Sequence, residues 1–150
     1  MEFIKKQSAG FYLSLLTIIL AFIGIMLYFG NCKTAYFSNL GMNTTVVACL
    51  VLAMICEVIF LIGNETMGSQ FVLDIFPILA AVLFMIGTVT FITTRVNGMA
   101  AIMTFTNNES TMADLNHTII TIAICFVAFL FSVVTSFFNI VNEESITISA

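Results

Sequence analysis

One carboxylate stands alone inside an apolar run. Glu57 lies in TTVVACLVLAMICEVIFLI, residues 44–62, and no other ionisable side chain sits well inside such a stretch. A carboxylate in hydrocarbon is strongly disfavoured unless it is protonated, paired or facing water, so an intramembrane acid is a functional hypothesis by default. Residues that reach a similar depth are Ser14 and Thr17 in the first apolar run and Ser132, Thr135, Ser136 and Asn139 in the last. Glu57 and these polar groups form a candidate ion or proton site, in which the acid titrates and its neighbours complete a polar lining. The competing reading is a protonated Glu57 hydrogen-bonded between helices as packing glue. No basic residue occurs at that depth to pair with it, and an ion pathway usually shows more than one acid.

A second constellation is Arg95 with Glu109 or Asp114. Arg95 follows the third apolar run, where a cation suits the negative end of a helix dipole. Asp114 opens the fourth, where an anion suits the positive end. A bidentate pair between them would clamp the connection they flank, with docking of a partner or an outside ligand as the functional alternative. Cysteines occur at 32, 49, 56 and 125, none in a Cys-x-x-Cys pair, and the single histidine, His117, is remote from them. A metal or redox centre is therefore poorly supported, and buried cysteine reads as a small hydrophobe. A Cys32–Cys49 disulfide is conceivable on an oxidising face, but nothing requires it. No Gly-rich phosphate loop or nucleophile elbow appears, so the chain reads as non-enzymatic and free of cofactors.

The elements that position these residues are membrane spans. The 150 residues are 61% hydrophobic and 8% charged, and the mean hydropathy is +1.15. A soluble domain carries about 25% charged residues, so this chain cannot clothe itself in water. The fold class is all-α, a single integral membrane bundle of four transmembrane helices at about 11–29, 44–62, 75–94 and 112–141. Nineteen apolar residues at ~1.5 Å each suffice to cross the hydrocarbon core. The first run reads as a retained helix, being too long for a signal-peptide core and followed by no small-x-small cleavage site. Asp74 is a good N-cap for the third helix and places Pro77 in its tolerant first turn. Thr111-x-x-Asp114 looks like a capping box for the fourth. Residues 95–116 then form the longest loop, apolar enough in its first half to lie on the membrane or tuck beneath the helices.

Four spans put both termini on one side. Lys5 and Lys6 directly precede the first helix and Lys33 and Arg95 fall opposite, which favours cytoplasmic termini in a plasma-membrane protein. Two lysines are short of a lipid-recognition cluster, and no basic patch exists for nucleic acid. Small residues mark close helix contacts: Ala128, Ser132 and Ser136 at four-residue spacing, with Gly24 and Gly87 as matching surfaces. The same stripe would serve self-association or a partner helix, and membrane lipid covers the remaining faces.

The segment Arg95-Val-Asn-Gly-Met-Ala-Ala-Ile-Met-Thr-Phe-Thr-Asn-Asn, with Met112-Ala-Asp-Leu115 and the loop Lys33-Thr-Ala-Tyr-Phe, resembles a group of small four-helix membrane proteins of Firmicutes-type bacteria. Some of these accompany carbohydrate-uptake or glycosidase genes. The resemblance implies a bacterial plasma-membrane protein linked to a larger transport system, and it brings no catalytic residues. The expected function is a non-enzymatic accessory or interaction subunit of such a transport or cell-surface system. The alternative is a small oligomeric proton- or cation-coupled transporter or channel using Glu57.

Overall fold

The computed structural model describes residues 9–67 and 72–138. They form four helices: α1 (Ala9–Asn31), α2 (Thr44–Met67), α3 (Ile75–Thr104) and α4 (Glu109–Thr135). Each is long and apolar enough to cross a membrane. They pack as a ring in which α1 and α3 each lie against both α2 and α4. The connections are short, so consecutive helices run antiparallel. One end of the bundle carries the start of α1 and the end of α4; the other carries the α1–α2 loop and the α3–α4 turn.

The expected long third loop is not a loop. α3 continues ten residues past Thr94 to Thr104, and α4 begins at Glu109. Arg95 is not a helix-ending cation facing solvent. It points into the bundle, so the helix need not stop there, and Ile102, two turns further on the same face, joins Phe37 and Leu115 in a second small core. The cap of α4 also sits three residues earlier than the spacing predicts. Asn108 accepts from the Thr111 N–H, and the Thr111 hydroxyl accepts from the Asn108 N–H, so Thr111 is the reciprocal partner and not the cap. Asp74 does precede α3, but its side chain makes no capping bond; Pro77 lies in the first turn as expected. α4 ends at Thr135 instead of reaching 141, and Asn139 lies outside the described residues.

Side-chain size explains how the helices approach. The buried positions of α1 are Gly10, Ser14, Thr17, Ala21, Gly24, Ile25, Tyr28 and Asn31, almost all small or polar at alternating spacings of four and three. Those of α4 are Leu115, Thr118, Thr121, Cys125, Ala128, Ser132 and Thr135, with the same alternation. This is the period of a left-handed knobs-into-holes seam. It corrects the expected four-residue stripe: Ala128 and Ser132 belong to it, but Thr135 takes the next place, and Ser136 turns half out to the side. Gly24 fits as predicted, since a Cβ there would stand 3.1 Å from Cys125 Sγ on α4. Gly87 serves the opposite seam, where a Cβ would meet Cys49 Cβ at 3.3 Å. Bulk fills the side of the bundle that α2 and α3 share, through Leu50, Phe60, Phe84 and Phe91.

Gly24→Leu forces α1 off α4 and should destabilise the bundle by ~1–3 kcal/mol, the usual penalty of overpacking. The check is thermal unfolding in detergent beside Phe22→Leu, whose side chain is exposed to lipid and whose melting temperature should not move.

Candidate functional site

Among the described residues two charged side chains are fully buried, and they organise opposite ends of the bundle. Glu57 is 0% exposed. Ser14 Oγ on α1 donates to its Oε2 at 3.1 Å. Ser132 Oγ on α4 donates to its Oε1. The same hydroxyl lies 3.2 Å from the Pro77 carbonyl on α3. One carboxyl on α2 therefore reaches α1 and α4 directly, and α3 through Ser132.

Of the described residues expected around Glu57, only Ser14 and Ser132 hydrogen-bond to it; Asn139 lies outside the described residues. Thr17 donates to the Leu13 carbonyl at 2.9 Å and Thr135 to the Phe131 carbonyl at 2.8 Å. Ser136 donates to the Val133 carbonyl at 2.6 Å. Hydroxyls on helices commonly satisfy themselves on their own preceding turn, which is why depth alone overstates the site. The Pro77 carbonyl was missed, because no side-chain pattern signals a backbone acceptor.

Ser132 has one proton and faces two acceptors, and this limits what the node can do. With Glu57 ionised, the Ser132 proton goes to the carboxylate. With Glu57 protonated, the acid donates to Ser132 Oγ and frees its proton for the Pro77 carbonyl. Gaining a proton at Glu57 thus reverses the α4–α2 hydrogen bond and adds one at the α4–α3 contact. Ser14 donates to Oε2 in both states.

The second charge is Arg95, only 1% exposed. Its Nη2 donates to the Gly41 carbonyl at 2.9 Å and to Cys32 Sγ at 3.3 Å. Its Nη1 donates to the Phe37 carbonyl at 3.4 Å, and the guanidinium carbon sits 5.4 Å from the Phe37 ring centroid. Its Nε has no partner. Arg95 thus clamps the α1–α2 loop from beneath, and does not pair with Glu109 or Asp114 as the sequence implied. Glu109 is exposed in the first turn of α4. Asp114 holds the same loop from the other side, accepting from the Tyr36 N–H at 2.9 Å. Arg95 and Asp114 of the expected clamp do converge, but on the first connection, and Glu109 stays outside it. The physical reason is that α3 and α4 both extend past the bilayer core and enclose that loop between them.

Other polar contacts tie this end. Tyr28 Oη accepts from the Asn43 N–H at 2.8 Å, and its ring meets Phe91 edge to face at 5.0 Å. Asn43 Oδ1 caps α2 by accepting from the Thr45 N–H at 2.9 Å. Asn31 Nδ2 donates to Thr118 Oγ1 at 2.6 Å across the α1–α4 seam. All four cysteines are free, so Cys32 acts as an acceptor for Arg95 and is not bridged to Cys49. Among the described residues, no group of three or more His, Cys, Asp or Glu side chains could hold a metal ion.

Comparison with protein-family models, curated proteins and solved structures finds no match.

Glu57→Gln can donate to Ser132 and accept from Ser14, so its unfolding free energy should stay within ~1 kcal/mol of the parent. Glu57→Leu strips both hydroxyls of that partner and should lose about 1–3 kcal/mol. Equilibrium unfolding in mixed micelles compares the two. Arg95→Met removes the clamp on the α1–α2 loop. In a chain retaining only Cys32, alkylation by a membrane-impermeant maleimide should then accelerate severalfold.

Proposed function

We propose that the chain is a non-enzymatic accessory or interaction subunit of a bacterial transport or cell-surface system, embedded in the plasma membrane with cytoplasmic termini. The observation that carries this reading is the complete enclosure of Glu57, whose two oxygens are both engaged by serines of the neighbouring helices. A carboxyl so engaged holds helices together, which leaves recognition to the outer cap and the lateral faces. Self-association through those faces belongs to the same reading. The link to carbohydrate uptake rests on the resemblance of residues 95–115 alone. The orientation rests on Lys5 and Lys6 ahead of the first span, against Lys33 in the opposite loop and an Arg95 that is buried.

A second reading is a small oligomeric proton- or cation-coupled transporter or channel. What favours it is the Ser132 geometry, because a carboxyl whose protonation adds a hydrogen bond between two other helices can couple a proton to a change in packing. One bundle of this length leaves little room for a solute path, so this reading needs at least a dimer.

Affinity capture in mild detergent followed by mass spectrometry should return a stoichiometric membrane partner, and Glu57→Gln should capture it equally well. In liposomes the purified protein should give no proton or cation flux above empty vesicles. Flux that Glu57→Gln abolishes would move the assignment to the transporter.

A further inference from the structure

The α1–α2 loop and the outward face of α3 enclose a groove of about 480 Å³ at the end of the bundle away from the termini. This lies within the ~300–1,000 Å³ range of small-ligand sites. Tyr36, Asn39 and Leu40 form one wall; Thr94, Asn97 and Gly98 form the other. Both walls are held before any ligand arrives. Arg95 fixes the loop through the Phe37 and Gly41 carbonyls, and Asp114 fixes it through the Tyr36 N–H. Gly98 brings the helix against the loop so closely that a Cβ would stand 2.8 Å from Phe37 Cε1 and 3.3 Å from Tyr36 Cε1. Preorganised walls lower the ordering cost of binding.

The chemistry of the lining is specific. Every residue that lines the groove is uncharged. The carboxamides of Asn39 and Asn97 and the Tyr36 hydroxyl make no hydrogen bond among the described residues. Each carboxamide offers two donors and an acceptor, the pattern that matches a hydroxyl acting as both acceptor and donor. The Tyr36 ring and Leu40 add apolar surface for the C–H face of such a group. No cation lines the groove: Arg95 is turned inward and bonded to the loop, and Lys33 of the same loop is not part of the lining. Height narrows the source. Residues 75–94 of α3 already cover about 30 Å at ~1.5 Å each, so the groove stands at the level of lipid headgroups.

We propose that this groove binds an uncharged, hydroxyl-rich group, either the glycosyl headgroup of a membrane lipid or a free sugar. Asn39 and Asn97 supply the hydrogen bonds and Tyr36 the stacking face. The proposal goes beyond the subunit reading above and does not depend on it.

The test uses the full chain in nanodiscs containing equal amounts of phosphatidylcholine, phosphatidylglycerol and monoglucosyl diacylglycerol, with retained lipid counted by native mass spectrometry. The glucosyl lipid should be retained preferentially, and Asn39→Ala/Asn97→Ala should reduce that preference about tenfold, as expected for losing two hydrogen bonds. Both side chains are exposed, so the double variant should keep the parent melting temperature. Saturation-transfer NMR with methyl glucoside separates the sources. Transfer to the free glucoside that the double variant loses assigns a soluble sugar; selective lipid retention without it assigns the headgroup. The proposal is overturned by equal retention of the three lipids with no glucoside signal, by preference for phosphatidylglycerol, or by a glucosyl preference that survives in the double variant.

Discussion

Taking a carboxyl out of water is the constraint around which this bundle is arranged. Glu57 sits among helices that offer no cation at its level, so its stabilisation has to come from hydrogen bonds. Ser14 and Ser132 provide them, and both are small enough to sit at a close helix contact. That requirement agrees with the packing. The α1–α4 seam is built from Gly, Ala, Ser, Thr and Cys because backbones must approach closely when there is no hydrophobic gain from excluding lipid. The side chains that permit the approach also serve the acid. An apolar bundle could pack as tightly, but its helices could slide in register; a carboxyl bonded across three elements removes that freedom.

The other end faces the same problem with the opposite charge and solves it with backbone. Arg95 has no carboxylate partner; it is surrounded by carbonyls, a thiol and an aromatic face. Loop carbonyls are available because residues 32–43 form no regular helix beyond the short 3-10 turn Ser38–Leu40. A planar guanidinium holds its donors in a rigid fork, so Nη1 and Nη2 reach separate carbonyls while the plane lies over the Phe37 ring, a combination that the point charge of a lysine does not offer. The result is a folded cap in place of a free loop. Its small core of Phe37, Ile102 and Leu115 makes the bundle continuous past the membrane.

Much of this was legible without coordinates. Nineteen-residue apolar runs, Pro77 after Asp74, and Gly24 at a close contact all follow from hydropathy, dihedral restriction and size. That Glu57 would need polar neighbours could be read from the sequence, and depth along each helix placed Ser14 and Ser132 among the candidates without singling them out. Two expectations do not hold, for different reasons. A cation suits the C-terminal dipole of a helix, which predicts an end at Arg95, yet a helix ends only where its backbone loses support, and α3 runs on to Thr104. The 3.6-residue period through Ile102 kept that support. Thr17, Thr135 and Ser136 were at plausible depth but turned their hydroxyls to their own helices.

The sequence by itself determined the class of object: four spans, because an unbroken apolar helix is the way a single segment satisfies every backbone group in lipid. It also determined that one acid would be buried and would need polar neighbours. Tertiary structure alone decided which neighbours. The rotation of α4 turns Ser132 onto Glu57 and leaves the Thr135 and Ser136 hydroxyls on carbonyls of their own helix. The overhang of α3 and α4 past the bilayer brings Arg95 and Asp114 to the first loop instead of to each other. Partners on different helices are chosen by how close the backbones come, and that distance is set by the small residues of two seams jointly.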